Sequence, residues 1–156
     1  MAKRYWLFKS EPDCFSIDDL KREGTSHWDG VRNYQARNML RDDIKRGDGV
    51  LFYHSGVQPP GVVGLAEVAK SGYPDYTAWD PESEHFDPKA SEYNPIWYMV
   101  DVRFVRKLPE MLPLPQLKKE PGLENMMVTQ RGSRLSVQPV TTDEWKVMQR
   151  MIKRLR

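Results

Sequence analysis

Two short segments contain most of the side chains that could do chemistry. They are residues 6–12 (WLFKSEP) and residues 28–38 (WDGVRNYQARN). Each places an aromatic ring beside cationic, amide or hydroxyl groups at a predicted turn, where packing alone does not require them. A ring offers a stacking surface, and amides and hydroxyls can hydrogen-bond to the edge of a flat polar ligand. This combination predicts recognition of a nucleobase.

Several short strands and helices must position these segments. Apolar runs predict strands at residues 5–8, 49–54, 62–68 and 96–105, and a turn with a short strand at 131–137. Capping patterns predict helices that start at Ser16, near Asn33 (ending at residue 44) and at Thr141, with a short helix at 114–119. The connection over residues 71–95 is long enough to be functional or to cover something. Together these elements predict one α+β domain, a small mixed β-barrel with helices packed around it.

Composition excludes several classes of protein. With 156 residues, 39% hydrophobic and 29% charged, the chain fits one soluble globular domain. No segment approaches the ~20 apolar residues of a membrane span, and the first residues lack the apolar run of a secretory signal. The single cysteine, Cys14, cannot form an internal disulfide, which favours a reducing cytoplasmic location.

The two segments belong to a longer pattern of motifs. They are followed in order by residues 47–48 (GD), 52–55 (FYHS), 61–64 (GVVG), 97–102 (WYMVDV) and 131–140 (RGSRLSVQPV). In this order the motifs resemble the EVE domain family over nearly the whole chain. The resemblance implies a single EVE domain over residues 1–156 with a PUA-like fold. It also implies a function, the binding of RNA or DNA that carries a modified base, flipped out or unpaired.

Within this pattern, Trp28 is the residue we expect to stack on the base, with its ring outside the core; the alternative is a structural tryptophan. A more distant similarity to YTH domains implies a second wall at Trp79. The expected polar contacts to the base are Lys9, Ser10, Asn33, His54 and Ser55. Asn33 has an equally good structural role as a helix cap.

The expected phosphate contacts are Arg32, Arg37 and Arg134. Arg37 could instead pair with a nearby aspartate, and Arg134 could instead form a structural salt bridge. Residues 146–156 hold five cations and no acid, so we expect the arginines to share one side of the molecule with part of this basic tail. The alternative for the tail is a solvated helix with cations near its C-terminal dipole end.

Enzymatic alternatives have weaker support. His54 or Lys9 could activate Ser10 or Ser55, but no Gly-x-Ser-x-Gly motif or comparable constellation accompanies them. The three histidines lack metal-ligand spacing, and there is no phosphate-binding glycine loop, so we predict no metal and no cofactor. The remaining alternatives are a hydrolase or nuclease-associated subunit that acts on modified bases or nucleotides, and a protein-interaction adaptor that uses the acidic residues 80–92.

Overall fold

The computed structural model describes residues 3–132 and 134–155. The described residues combine α-helices with strands that pair mostly antiparallel, which confirms the predicted α+β class. The strands are β1 (Tyr5–Ser10), β2 (Thr25–His27), β3 (Gly49–His54), β4 (Gly61–Pro74), β5 (Tyr98–Pro113) and β6 (Val137–Val140). The α-helices are α1 (Ile17–Glu23), α2 (Tyr34–Asn38), α3 (Leu114–Lys119) and α4 (Thr142–Lys153), with short 3₁₀ turns at Tyr76–Trp79 and Met127–Thr129.

All six strands form one mixed sheet in the order β2-β5-β4-β3-β1-β6. Strands β1 and β3 run parallel, and the other neighbours run antiparallel. The predicted barrel is therefore corrected to an open sheet, because the edge strands β2 and β6 do not pair with each other within the described residues. These edge strands have only three and four residues.

The sheet buries both of its faces. In β1, Trp6 and Phe8 belong to a first core with α1 and α2, whereas Leu7 belongs to a second core with α3 and α4. Burial on both sides explains why β1 and β3 read as continuous apolar runs rather than as alternating ones. The basic helix α4 therefore packs against the face opposite Trp28, which lies in the first core. This packing does not support the prediction that the three arginines share one side of the molecule with part of the basic tail.

Side-chain caps begin three of the helices where the sequence predicts them. Ser16 and Thr141 each form a capping box, and the Asn33 side chain accepts a hydrogen bond from the backbone of Ala36. The predicted helix over 33–44 instead continues beyond α2 as a π-helical turn, Met39–Asp43. Strand β4 packs closely against that turn, since a Cβ on Gly72 would lie 2.2 Å from the backbone oxygen of Leu40.

The strand boundaries differ from the predicted ones at several places. Strands β4 and β5 extend well past residues 68 and 105, and β6 begins where the predicted 131–137 strand ends. Strand β5 begins at Tyr98 rather than 96, because Ile96 has a φ of 60° and cannot continue an extended strand. Among the described residues, no helix combines the length and the apolar character that crossing a membrane requires.

Candidate functional site

A cavity of about 520 Å³ opens where the end of β1 meets the segment after β2. Its walls come from four separate parts of the chain: the end of β1 with the following loop, residues 26–32, residues 83–85, and Ser136 just before β6. The backbone N–H of Lys9 donates to the Ser136 oxygen at 2.8 Å, which holds two of these walls together. Four of the predicted site residues line this cavity: Lys9, Ser10, Trp28 and Arg32.

Trp28 lines the cavity and is also part of the core. Its side chain is 7% exposed and packs among three phenylalanine rings, with centroid distances of 5.2 Å to Phe8, 6.3 Å to Phe15 and 5.5 Å to Phe52. The expectation that the ring lies outside the core is wrong. None of the three phenylalanine rings lies parallel to the indole, because the interplanar angles are 45°, 82° and 89°.

Asp75 holds the turn after Trp28 in place. Its carboxylate is completely buried and accepts hydrogen bonds from the Gly30 backbone and from Arg32 Nη1, both at 2.9 Å. Thr77 donates to its other oxygen through both its backbone N–H and its hydroxyl. Burial alone would raise the pKa of Asp75, but the hydrogen bonds from Thr77, Gly30 and Arg32 outweigh it and lower that pKa.

The same turn supports the loop at residues 83–85, which forms one wall of the cavity. Arg32 donates from Nη2 and Nε to the backbone oxygen of His85, at 2.7 and 3.2 Å. The imidazole ring of His85 lies over Gly30, where a Cβ would come within 2.6 Å of the ring. Gly30 also has a φ of 76°, a conformation that favours glycine. One glycine thus permits both the turn and the approach of the ring.

Arg32 therefore serves the protein itself rather than presenting free donors to a phosphate. Its guanidinium donates to Asp75, to His85 and to the Val31 oxygen, and its side chain is only 24% exposed. A phosphate contact would require breaking several of these hydrogen bonds. These contacts favour a structural role for Arg32, which tethers the loop around His85, over the predicted phosphate contact.

The remaining predicted site residues do not line the cavity. Asn33 is exposed and caps α2, which is the structural role that its position also allowed. Trp79 packs in a third cluster with Ala78, Ala90 and Trp97, so it does not form a second wall in this structure. Arg37 donates to the Ile96 oxygen at 2.6 Å. Arg134 is exposed, and Ser55 is half-buried with its backbone bonded to that of Ser10.

His54 supports the start of α1 rather than the cavity. Its Nε2 accepts a hydrogen bond from the Ile17 backbone N–H at 3.1 Å, which requires a neutral ring with its proton on Nδ1. Burial lowers the pKa of His54 below 6.5; Asp18 opposes that shift, and Lys107 adds to it. The ring nitrogen that a general base would use is thus already engaged, and the Ser10 hydroxyl donates to the Phe15 oxygen at 2.7 Å.

This arrangement predicts a pH dependence of stability. The folded protein binds the His54 proton more weakly than the unfolded chain does. The contribution of neutral His54 to the free energy of unfolding is therefore complete above pH 6.5 and declines as the pH falls below that value. We expect the urea midpoint of the parent to fall, relative to that of His54→Gln, between about pH 8 and pH 5. Glutamine offers an acceptor but does not titrate. Parallel midpoints across this range would contradict the assignment.

Comparison with known proteins identifies the family. A family model for the EVE domain matches residues 4–151. This chain belongs to the EVE domain family. The resemblance predicted from the motifs is thereby confirmed. The EVE domain is 45% identical over 160 residues to thymocyte nuclear protein 1 of Homo sapiens, covering 90% of this chain and 70% of that protein.

Solved structures agree with this assignment. A hypothetical protein from Leishmania major has a TM-score of 0.91 at 52% identity, covering 97% of this chain and 96% of that one. Human THYN1 in complex with DNA that contains 5-methylcytosine has a TM-score of 0.90 at 40% identity, covering 99% of this chain and 100% of that one. A YTH domain of Zygosaccharomyces rouxii MRB1, in complex with N6-methyladenosine RNA, is similar in fold alone, with a TM-score of 0.54 at 14% identity.

Several residues that line the cavity of this EVE domain were not among the predicted site residues. Phe15, Asp29, Glu84 and His85 contribute an apolar ring, two carboxylates and an imidazole. Asp29 lies inside the segment 28–38 that the sequence pattern singles out. Glu84 and His85 lie in the long 71–95 connection, whose length predicted a functional or covering role. Their place in the cavity follows from long-range packing, which residue types in sequence do not display.

The same cavity wall includes His27 at the end of β2. Its Nδ1 lies 3.2 Å from Asp101 Oδ1, and its Nε2 lies 2.9 Å from the Tyr76 hydroxyl. Among the described residues of the EVE domain, no group of three or more His, Cys, Asp or Glu side chains could hold a metal ion.

Proposed function

We propose that this EVE domain binds nucleic acid by taking one modified base into the cavity beside Trp28. The observation that carries the proposal is the position of Lys9, Ser10 and Trp28 around one cavity, in a chain 40% identical to human THYN1, which is in complex with 5-methylcytosine-containing DNA. The volume of about 520 Å³ falls within the ~300–1,000 Å³ of small-ligand sites. DNA that carries 5-methylcytosine is the ligand with the most support.

The chemistry of the walls suits a flat, partly apolar ligand. The rings of Phe15, Trp28 and His85 supply aromatic surface, and Lys9 and Ser10 supply polar groups at the end of β1. Burial lowers the pKa of Lys9 below its ordinary value, as expected for an ammonium group that is drawn into the protein. A methyl group enclosed by such walls contributes about 0.8 kcal/mol, or about fourfold in affinity.

The test is a titration of this protein with DNA oligonucleotides that differ only at one central position. We expect an oligonucleotide with 5-methylcytosine to bind about fourfold or more tightly than one with cytosine. Fluorescence anisotropy at several salt concentrations should show that the affinity falls as salt rises. In duplex DNA, the logarithm of the binding constant should fall against the logarithm of the salt concentration with a slope of about −0.9 per phosphate neutralised. Equal affinity for the two oligonucleotides would contradict the proposal, and affinity indifferent to salt would point to a ligand other than nucleic acid.

We propose a binding role without a catalytic step and without a cofactor. The engaged His54 and Ser10 support this reading against the hydrolase alternative. Mass spectrometry of the bound oligonucleotide after prolonged incubation tests this role, because a protein that only binds the modified base releases it unchanged. The exposed Arg134 stays our predicted phosphate contact. The cytoplasmic location likewise stays a prediction from the single cysteine, whereas the name of the relative, thymocyte nuclear protein 1, indicates the nucleus for that protein.

A further inference from the structure

Three carboxylates lie in or beside the cavity, and they differ in what they bind. Asp75 is fully engaged by Gly30, Arg32 and Thr77. Glu84 extends into solvent, with 87% of its side chain exposed, and lies 3.7 Å from the His85 ring. Asp29 is half-buried in the cavity wall, yet within the described part of the chain its side chain receives no hydrogen bond and forms no ion pair.

A half-buried carboxylate without a partner is unfavourable for folding, because burial removes water without supplying a donor. Asp29 follows Trp28 directly, at the point where Asp75 fixes the turn through Gly30. The backbone of Trp28 is itself held by β5, since its N–H donates to the Val100 oxygen at 2.7 Å. The structure therefore positions Asp29 on a rigid turn and leaves its acceptor atoms to the cavity.

An ionised carboxylate can only accept hydrogen bonds. Among the bases, cytosine carries an amino donor at N4, whereas thymine carries an acceptor oxygen at the equivalent O4. Thymine also carries a methyl group at C5, as 5-methylcytosine does. Walls that enclose the methyl group therefore cannot separate the two bases, and a hydrogen-bond acceptor near position 4 is one polar group that can.

We propose that Asp29 reads the exocyclic amino group of the base and so separates 5-methylcytosine from thymine. This inference rests on the proposed function, since it assigns a selectivity to the same cavity. The carboxylate accepts a hydrogen bond from the N4 amino group and repels the O4 oxygen of thymine. Aspartate and glutamate pair with cytosine N4 in this way in sequence-specific DNA recognition.

The experiment uses DNA duplexes that are identical except for one central base, 5-methylcytosine, thymine or cytosine, placed opposite an abasic site. The abasic partner removes the base-pairing energy, so that differences in affinity report contacts with the protein. We expect the parent to bind 5-methylcytosine roughly five- to 150-fold more tightly than thymine. Asp29→Ala should lose most of that ratio through weaker binding of 5-methylcytosine.

Asp29→Asn supplies a second test with nearly unchanged side-chain shape. Its amide offers a donor as well as an acceptor, so the affinity for thymine should rise while the ratio falls. Glu84→Gln is the matched control, since it neutralises the exposed carboxylate of the same cavity, and it should leave the ratio unchanged. Thermal melts of all three variants establish that each is folded at the titration temperature.

The outcomes separate the two proposals. If the parent favours 5-methylcytosine over cytosine but both Asp29 variants keep the parental ratio over thymine, the inference is overturned and the proposed function stands. If Glu84→Gln loses the ratio instead, the reading group is Glu84 and the inference is again overturned. If the parent does not distinguish 5-methylcytosine from cytosine, the proposed function fails and the inference fails with it.

Discussion

Trp28→Ala is expected to lower the free energy of unfolding by about 3–5 kcal/mol, the cost of truncating a buried tryptophan. The side chain is 7% exposed and packs against Phe8, Phe15 and Phe52, so its removal leaves a void in the first core. For a chain of this size the melting temperature should fall by roughly 6–20 °C. Binding of the modified oligonucleotide should also be lost, because the indole forms a wall of the site.

Two measurements keep these effects apart. Titrations are run well below the melting temperature of the variant, so that a loss of binding reports the site and not unfolding. Tyr93→Ala is the control, because it truncates an aromatic ring that is 94% exposed and should change stability by less than about 0.5 kcal/mol. A Trp28→Ala protein that melts like the parent would show that the ring contributes little to the core.

Asp75→Asn is expected to be almost as damaging, although its carboxylate belongs to neither the hydrophobic core nor the cavity wall. Removing one partner of a buried ion pair costs roughly 3–5 kcal/mol of stability. We expect a loss at the lower end of this range, because the Arg32 side chain is 24% exposed. The new amide nitrogen replaces one acceptor oxygen, so it faces either the Gly30 and Arg32 donors or the two donors of Thr77. Ligand binding should weaken as well, since the turn after Trp28 and the loop at His85 both lose their support.

An exposed pair provides the control for this substitution. Asp18 pairs with Lys107 at 2.8 Å, and these side chains are 60% and 47% exposed, so Asp18→Asn should change stability far less than Asp75→Asn does. Combining Asp75→Asn with Arg32→Gln tests the contact itself. We expect the double variant to be about 0.5–3 kcal/mol more stable than the sum of the single effects implies. Additive losses would show that the two side chains act independently.

The two predictions concern residues for which sequence reasoning had different success. Trp28 was identified because an aromatic ring beside Asp29, Gly30 and Arg32 is unusual in a core. Its burial was missed, since polar neighbours in sequence do not reveal three phenylalanines that approach from β1, β3 and the loop before α1. Asp75 has only one local partner, Thr77, whereas the Gly30 and Arg32 donors that its carboxylate holds are more than 40 residues away.

Local patterns determined much about this protein by themselves. The capping side chains Ser16, Asn33 and Thr141, the strand at Gly49–His54 and the short helix α3 follow from interactions between residues close in sequence, and the structure has them where the sequence predicts them. The ordered motifs were long and specific enough to identify the EVE family. Residues 6–12 and 28–38 also indicated the right region for the cavity, since both segments contribute to its walls.

Only the tertiary structure decided which side chains meet there. Strand β1 pairs with β3 on one side and β6 on the other, and this brings Lys9 and Ser10 next to Ser136. Arg32 was expected at a phosphate, but long-range contacts with Asp75 and His85 occupy its donors. His54 likewise caps α1 across a gap of 37 residues. The choice between a ligand contact and a structural contact depends on which partners arrive from elsewhere in the chain, and the three-dimensional fold alone determines those partners.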